Sequence, residues 1–162
     1  MRVIKDNKIV NDDWSVAREL DADAPMPDGD IILPFHYWQA NRDSLLDKKT
    51  KHAVWINGDT DVEELVSDLE HFSIVALDFP AFKDGRCYSH ARLLHDRYAY
   101  KGDVRAIGDV LRDQLFFMYR CGISSFQLRD DKDAEDALKA FNDFTIRYQA
   151  AADDAVPIYK LR

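Results

Sequence analysis

The chain has 162 residues, 46% hydrophobic and 32% charged, the balance of a globular protein large enough to bury a core without staples. Its net charge of −8 argues against general nucleic-acid binding, and no apolar run approaches the roughly 18 residues that a membrane-spanning helix needs. Two cysteines, Cys87 and Cys121, make no disulfide framework. With no apolar centre of a signal peptide in "MRVIKDNKIV", the expectation is a cytoplasmic protein with both thiols free.

Residues 3–10 alternate around the turn-like "KDNK" and predict a short hairpin. Residues 11–30, with "DADAPMPDGD", read as a surface loop. "PFHYWQANRDSLLDKK" follows as a helix, with Pro34 suited to its first turn. From residue 53 the pattern becomes regular. "AVWI" (53–56) predicts a buried strand, and "DVEELVSDLEHF" an amphipathic helix with Val62, Leu65, Val66, Leu69 and Phe72 on one face. "SIVALDF" is a second strand, and helix 87–98 carries the stripe Cys87, Ala91, Leu94 and Tyr98. "VRAIG" (104–108) is a third strand, and helix 109–121 buries Leu111, Leu115 and Met118. "SSFQL" (124–128) is a fourth, and a last helix spans about 133–151.

Four strand–helix units with near-continuous apolar strands predict an α/β fold with parallel strands and right-handed crossovers. Strand order is open between a half-barrel-like sequence and a doubly wound sheet. Short units without a long connection favour the half barrel. The expected organisation is one domain: hairpin, loop and helix over 1–52, the repeat region over 53–152, and a tail over 153–162. Ligands in such folds bind beyond the carboxyl ends of the strands. Here those ends are Asn57-Gly58-Asp59, Asp78-Phe79, Gly108-Asp109 and Arg129-Asp130.

Residues 83–120 hold eight basic groups against five acidic ones, a net of +3 that leaves −11 for the remainder. They form either a solvated mixed-charge surface or a local anion site. At "DGRCYS", Gly85 allows a tight turn, and Arg86 and Ser89 are placed to hold an anion at a helix start. The same residues also suit a capped turn. Asp109 sits where an N-cap belongs, and Arg112 either faces the strand ends with it or pairs with a neighbouring carboxylate. Cys87 is a small buried residue or, beside Arg86, a thiol of lowered pKa. Cys121, at the far end of its helix, lies too far away for a disulfide. No glycine-rich nucleotide loop, Ser-His-Asp signature or zinc spacing occurs, and His90 and His95 fall on different sides of a helix.

The stretch "FPAFKDGRCYSHARLL…GDVRAIGDVLRDQLFFMYRCG" resembles the DUF934 family of bacterial proteins, densely over residues 73–128. The family pattern covers Phe79, Pro80, Phe82, Asp84, Gly85, Arg86, Tyr88, Ser89, Arg92, Gly108, Asp109, Arg112, Asp113 and Gln114. Cys87 departs from it, because the family usually has glycine there, and a cysteine mechanism shared by the family at this position is therefore untenable. The family is of unknown function. It carries an oxidoreductase label linked to sulfite reduction, because its genes commonly neighbour that of the sulfite reductase haemoprotein. No flavin, nicotinamide, haem or iron–sulfur ligation pattern is present, so no cofactor is expected.

Two functions follow. The first is an accessory component of assimilatory sulfite reduction, binding an oxyanion through Arg86, Ser89, Arg92 and Arg112, or binding the sulfite reductase haemoprotein itself. The second is an enzyme acting on a small phosphorylated or carboxylated metabolite, with Asp78 or Asp109 as the acid–base group. Convergence of Asp78, Arg86, Asp109 and Arg112 on one pocket would favour the enzyme. Side chains scattered and locally satisfied would favour protein binding. A half barrel also has reason to form a homodimer over its open edge.

Overall fold

The computed structural model describes residues 2–48, 50–129, 131–142 and 149–153. The chain opens with the expected hairpin, β1 (Arg2–Lys5) and β2 (Lys8–Asn11), joined through Asp6 and Asn7 at φ 50 and 55. Both central residues in the left-handed region make this the turn whose twist matches a hairpin. Strand β3 (Ser15–Val16) and strand β4 (Ile31–Pro34) follow, then helix α1 (Phe35–Leu46) and strand β5 (His52–Ile56). A 3₁₀ segment, Val62–His71, leads to β6 (Phe72–Phe79). Helix α2 (Arg86–Arg92) runs on as a wider π turn, Leu93–Arg97, before β7 (Asp103–Gly108) and α3 (Arg112–Arg120). Last come β8 (Ser125–Phe126), α4 (Ala134–Lys139) and a short 3₁₀ turn, Ala140–Asn142. Among the described residues, no helix is long and apolar enough to cross a membrane.

All eight strands form one sheet in the order β2-β1-β8-β7-β6-β5-β4-β3. Strands β3 to β8 are parallel and consecutive, and β1 joins β8 antiparallel. This is the half-barrel order, and its curl follows from chain length. Laid flat, the outer strands would stand about 34 Å apart. Yet Asn11 of one edge and Ser15 of the other are joined by residues 12–14 alone, a reach of at most about 14 Å. The sheet must therefore curl until β2 and β3 approach.

Two faces result. Val54, Val75, Leu77, Val104, Ala106 and Phe126 pack with the helices in the main core. Alternating with them, Ala53, Ile74, Ala76 and Ile107 meet Trp14, Val16 and Trp55 on the inner face. Arg105, also inward and only 2% exposed, donates to Ser125 Oγ (3.0 Å), Asp103 (3.1 Å) and Asp12 (2.7 Å). Burial pushes the Asp103 carboxyl up, but hydrogen bonds from Ser124 and Ser125 and the nearby Arg105 and Lys5 charges hold it below its ordinary value.

Several expectations are corrected. The loop at 11–30 contains β3, and "IILP" is a strand, with Pro34 pairing Trp55 in the ladder instead of opening the helix. Parallel strands thus number six rather than four. Residues 62–71 wind with a three-residue period, which stacks Val62, Leu65 and Asp68 inward and leaves Val66 outside. Asp68, turned inward, accepts the Trp38 indole N–H (2.7 Å) and both Arg42 Nε and Nη2 (2.9 and 2.7 Å). Asp109 does not cap α3, which begins after Leu111, where the Gln114 side-chain carbonyl accepts the Leu111 N–H (3.2 Å). The last helix ends its described course at Asn142, residues 149–151 are not helical, and the rest of that expectation lies outside the described residues.

Candidate functional site

At the β6–α2 junction, Arg86 reaches across the sheet edge of its neighbours. Its Nε and Nη2 donate to Asp84 Oδ1 and Oδ2 (3.0 and 2.8 Å), and Nη1 donates to Asp59, beyond the end of β5. Gly58 makes this approach available, because a Cβ there would fall 2.6 Å from Arg86 Nε. The Arg86 side chain and backbone N–H together draw the Asp84 carboxyl down to about 2. Arg86 therefore clamps β5 to α2, with two carboxylates for one cation.

The other predicted anion ligands lie apart. Arg92 pairs with Asp96 at 2.5 Å, one helical turn on, and Arg112 reaches Asp136 of α4 at 3.2 Å. Ser89 is exposed on α2 and shares a groove with Arg92 only. The structure does not bring Arg86, Ser89, Arg92 and Arg112 to one pocket.

That groove, about 500 Å³ between α2 and α3, is mostly apolar. Tyr88 forms its floor, with its ring 5.2 Å from Phe79 and 5.0 Å from Phe117. Phe117, which lines it, is 57% exposed; Phe82, on the loop before α2 and outside the groove's lining, is 58% exposed. Cys121 closes one end and Arg97 stands on the rim. Both cysteines are free. Burial pushes the Cys87 thiol up to about 12, and its Sγ donates to the Asp78 carbonyl (3.2 Å). The activated thiol is thus excluded and the buried one holds.

Asp78, in β6, and Asp109, the residue after β7, both stand at the carboxyl ends of adjacent strands, and each holds an arginine not among the predicted ligands. Asp78, 9% exposed, accepts Arg18 Nη1 at 2.6 Å. Asp109 accepts Arg129 Nη1 at 3.0 Å, and Arg129 also takes both oxygens of Asp131 (2.9 and 3.2 Å). Gly108 lies between them at φ +94, and a Cβ there would sit 2.6 Å from Asp78 Oδ1. Above these residues opens a mouth of about 490 Å³, lined by Arg18, Gly108, Gln127, Leu128, Arg129 and Asp131. Arg129 had a signal, its place after a predicted strand. Arg18 had none, because its segment carries no periodicity. Among the described residues, no three His, Cys, Asp or Glu side chains gather to hold a metal ion.

The pattern of a family described as bacterial proteins of unknown function, DUF934, matches residues 53–159. No curated protein and no solved structure matches the chain significantly. The matched span takes in β5 to α4, including the clamp at Arg86, the aromatic groove and the strand ends, and the chain belongs to the DUF934 family.

Proposed function

We propose that the protein is an accessory component of assimilatory sulfite reduction that seats the sulfite reductase haemoprotein on the aromatic groove between α2 and α3. The exposure of Phe82 and Phe117 carries the proposal. Phe35, Phe72, Phe79, Phe126 and Phe141 are all buried, so these two rings stand out. Aromatic side chains around an apolar groove are the usual centre of a protein interface. Phe82, Tyr88, Ser89 and Arg92 also belong to the stretch that carries the family resemblance, which supplies the partner. A protein partner is favoured over a free oxyanion, because Arg86, Arg92 and Arg112 each already hold a carboxylate of this chain. An oxyanion would have to displace an aspartate to reach any of them.

The alternative, an enzyme acting on a small anionic metabolite, draws support from the mouth over the strand ends, where Asp78 of β6 and Asp109 just beyond β7 stand. The two functions separate in a binding experiment with immobilised haemoprotein. The wild-type chain is expected to bind with a dissociation constant of about 1–10 μM. Phe82→Ser with Phe117→Ser weakens binding at least about tenfold, the loss of a central aromatic contact, while Arg86→Ala changes it little. No binding of the wild-type chain at about 50 μM would sink the proposal.

A further inference from the structure

We infer that the mouth of the curled sheet binds a small carboxylate bearing an adjacent hydrogen-bond donor, a hydroxyl or an ammonium, with Arg18 taking the carboxylate through Nε and Nη2 and Gln127 the donor, while Arg129, held by Asp109 and Asp131, walls the site. Three observations meet there. Arg18 and Arg129 come from opposite ends of the chain and line one cavity of about 490 Å³. Both are half exposed. Among the described residues, Arg18 donates only from Nη1, to Asp78, which leaves Nε and Nη2 for a ligand. The side chain is nevertheless fixed, because its guanidinium lies 5.7 Å from the Trp55 ring centre and the Trp55 indole N–H holds the Ala17 carbonyl (2.8 Å). A preformed, stacked arginine is a bidentate carboxylate receptor.

Gln127 is the second independent sign. It lines the mouth, yet its side-chain carbonyl oxygen is buried without a hydrogen-bond partner. A buried acceptor left unmatched is costly, and such groups in native proteins call for an explanation. A donor on the ligand supplies it. The charge balance then selects the ligand class. Asp78, Asp109 and Asp131 stand against Arg18, Arg129 and Lys132, the last paired with Asp131 at 3.3 Å. Among the described residues these charges balance, which suits a monocarboxylate or a zwitterion better than sulfate or phosphate. The position, beyond the carboxyl ends of parallel strands, is where α/β sheets receive ligands.

The test uses the full chain and four probes: glycolate, glycine, acetate and inorganic sulfate, titrated by calorimetry and by backbone amide NMR. Glycolate or glycine is expected to bind at millimolar concentration and to move the amides of residues 18, 108, 127 and 129. Acetate, lacking the donor, is expected to bind about tenfold more weakly, and sulfate weaker still. Arg18→Ala abolishes binding. Gln127→Met keeps the fold, because it removes an unmatched polar group, and erases the preference over acetate. Equal binding of acetate and glycolate, a preference surviving in Gln127→Met, or no amide shift with either donor-bearing probe overturns the inference. Phe82→Ser with Phe117→Ser leaves probe binding unchanged, so failure here is distinct from failure of haemoprotein docking.

Discussion

Gly108 and Gly29 share a backbone conformation, φ +94 and +95, yet differ in what a side chain would meet. At Gly29 a Cβ has nothing within 4 Å. At Gly108 it would lie 2.5 Å from the Phe79 carbonyl oxygen and 2.6 Å from Asp78 Oδ1. The carboxylate can swing away, but the carbonyl is backbone, paired across β6 and β7 and bonded to the Asp109 N–H at 2.7 Å. Gly29→Ala therefore costs only the left-handed conformation, about 1–2 kcal/mol. Gly108→Ala adds the forced parting of two strand ends and a weakened hydrogen bond, for a total of about 3 kcal/mol. In a chain of this length each kcal/mol lowers Tm by about 2–4 °C. Far-UV circular dichroism melts should show a drop of about 9 °C for Gly108→Ala and about 4 °C for Gly29→Ala. Equal drops would refute the steric argument and with it the tight placement of Asp78 over the end of β7.

Asp68→Ala leaves the fully buried Trp38 indole N–H unmatched and frees Arg42. Arg42 is partly exposed and regains water, so the cost is about 2–3 kcal/mol in urea unfolding; Asp68→Asn, which keeps an acceptor for Trp38, costs less. Cys87, 2% exposed and with its pKa pushed by burial up to about 12, should not react with a thiol reagent in native protein at mildly alkaline pH and should react in denaturant. Rapid labelling of Cys87 in the native chain would contradict the packing at Asp78. Hydrogen bonds to Arg42 and Arg86 hold Asp68 and Asp84 below the ordinary carboxylate value of 3.8. Their contribution to stability is present above about pH 4 and is lost as pH falls through the lowered values, toward about 2 for Asp84. Tm should fall over that interval, and a flat profile would show that these pairs contribute nothing.

The strands that the sequence made legible are those buried on both faces, β5 to β8, where near-continuous apolar runs leave no other reading. The hairpin was equally plain in "KDNK". Strand β3 has only Ser15 and Val16 in the ladder, too few for any period to show. Strand β4 was hidden by Pro34, which suits a helix start as well as the end of a strand. The inward place of Asp68 in the segment 62–71 involves partners that a linear pattern does not contain: Trp38 and Arg42 lie 30 and 26 residues before it. The same limit applies at the site. Arg86 looked like a free cation beside a turn, because Asp59, its second carboxylate, belongs to another strand end. Arg18 acquires significance only when the sheet curls and carries it over Asp78.

The curl also explains why the most recognisable stretch of the chain holds so few side chains left to bind anything. Residues 79–94 lie between the two surfaces proposed to have ligands. On the helical side, Phe79 meets Tyr88, and Tyr88 meets Phe117 in the groove. On the other side, the Phe79 carbonyl holds Asp109, and the Cys87 thiol holds the carbonyl of Asp78, whose carboxylate positions Arg18 at the mouth. Arg86, Asp84 and Asp59 lock the loop between them. A side chain that supports two surfaces at once has little freedom to change, whether or not it touches a ligand. The motif is thus largely the frame of the site, and the groups left to bind are its own Phe82 and, at its borders, Phe117 outside and Arg18 and Gln127 within.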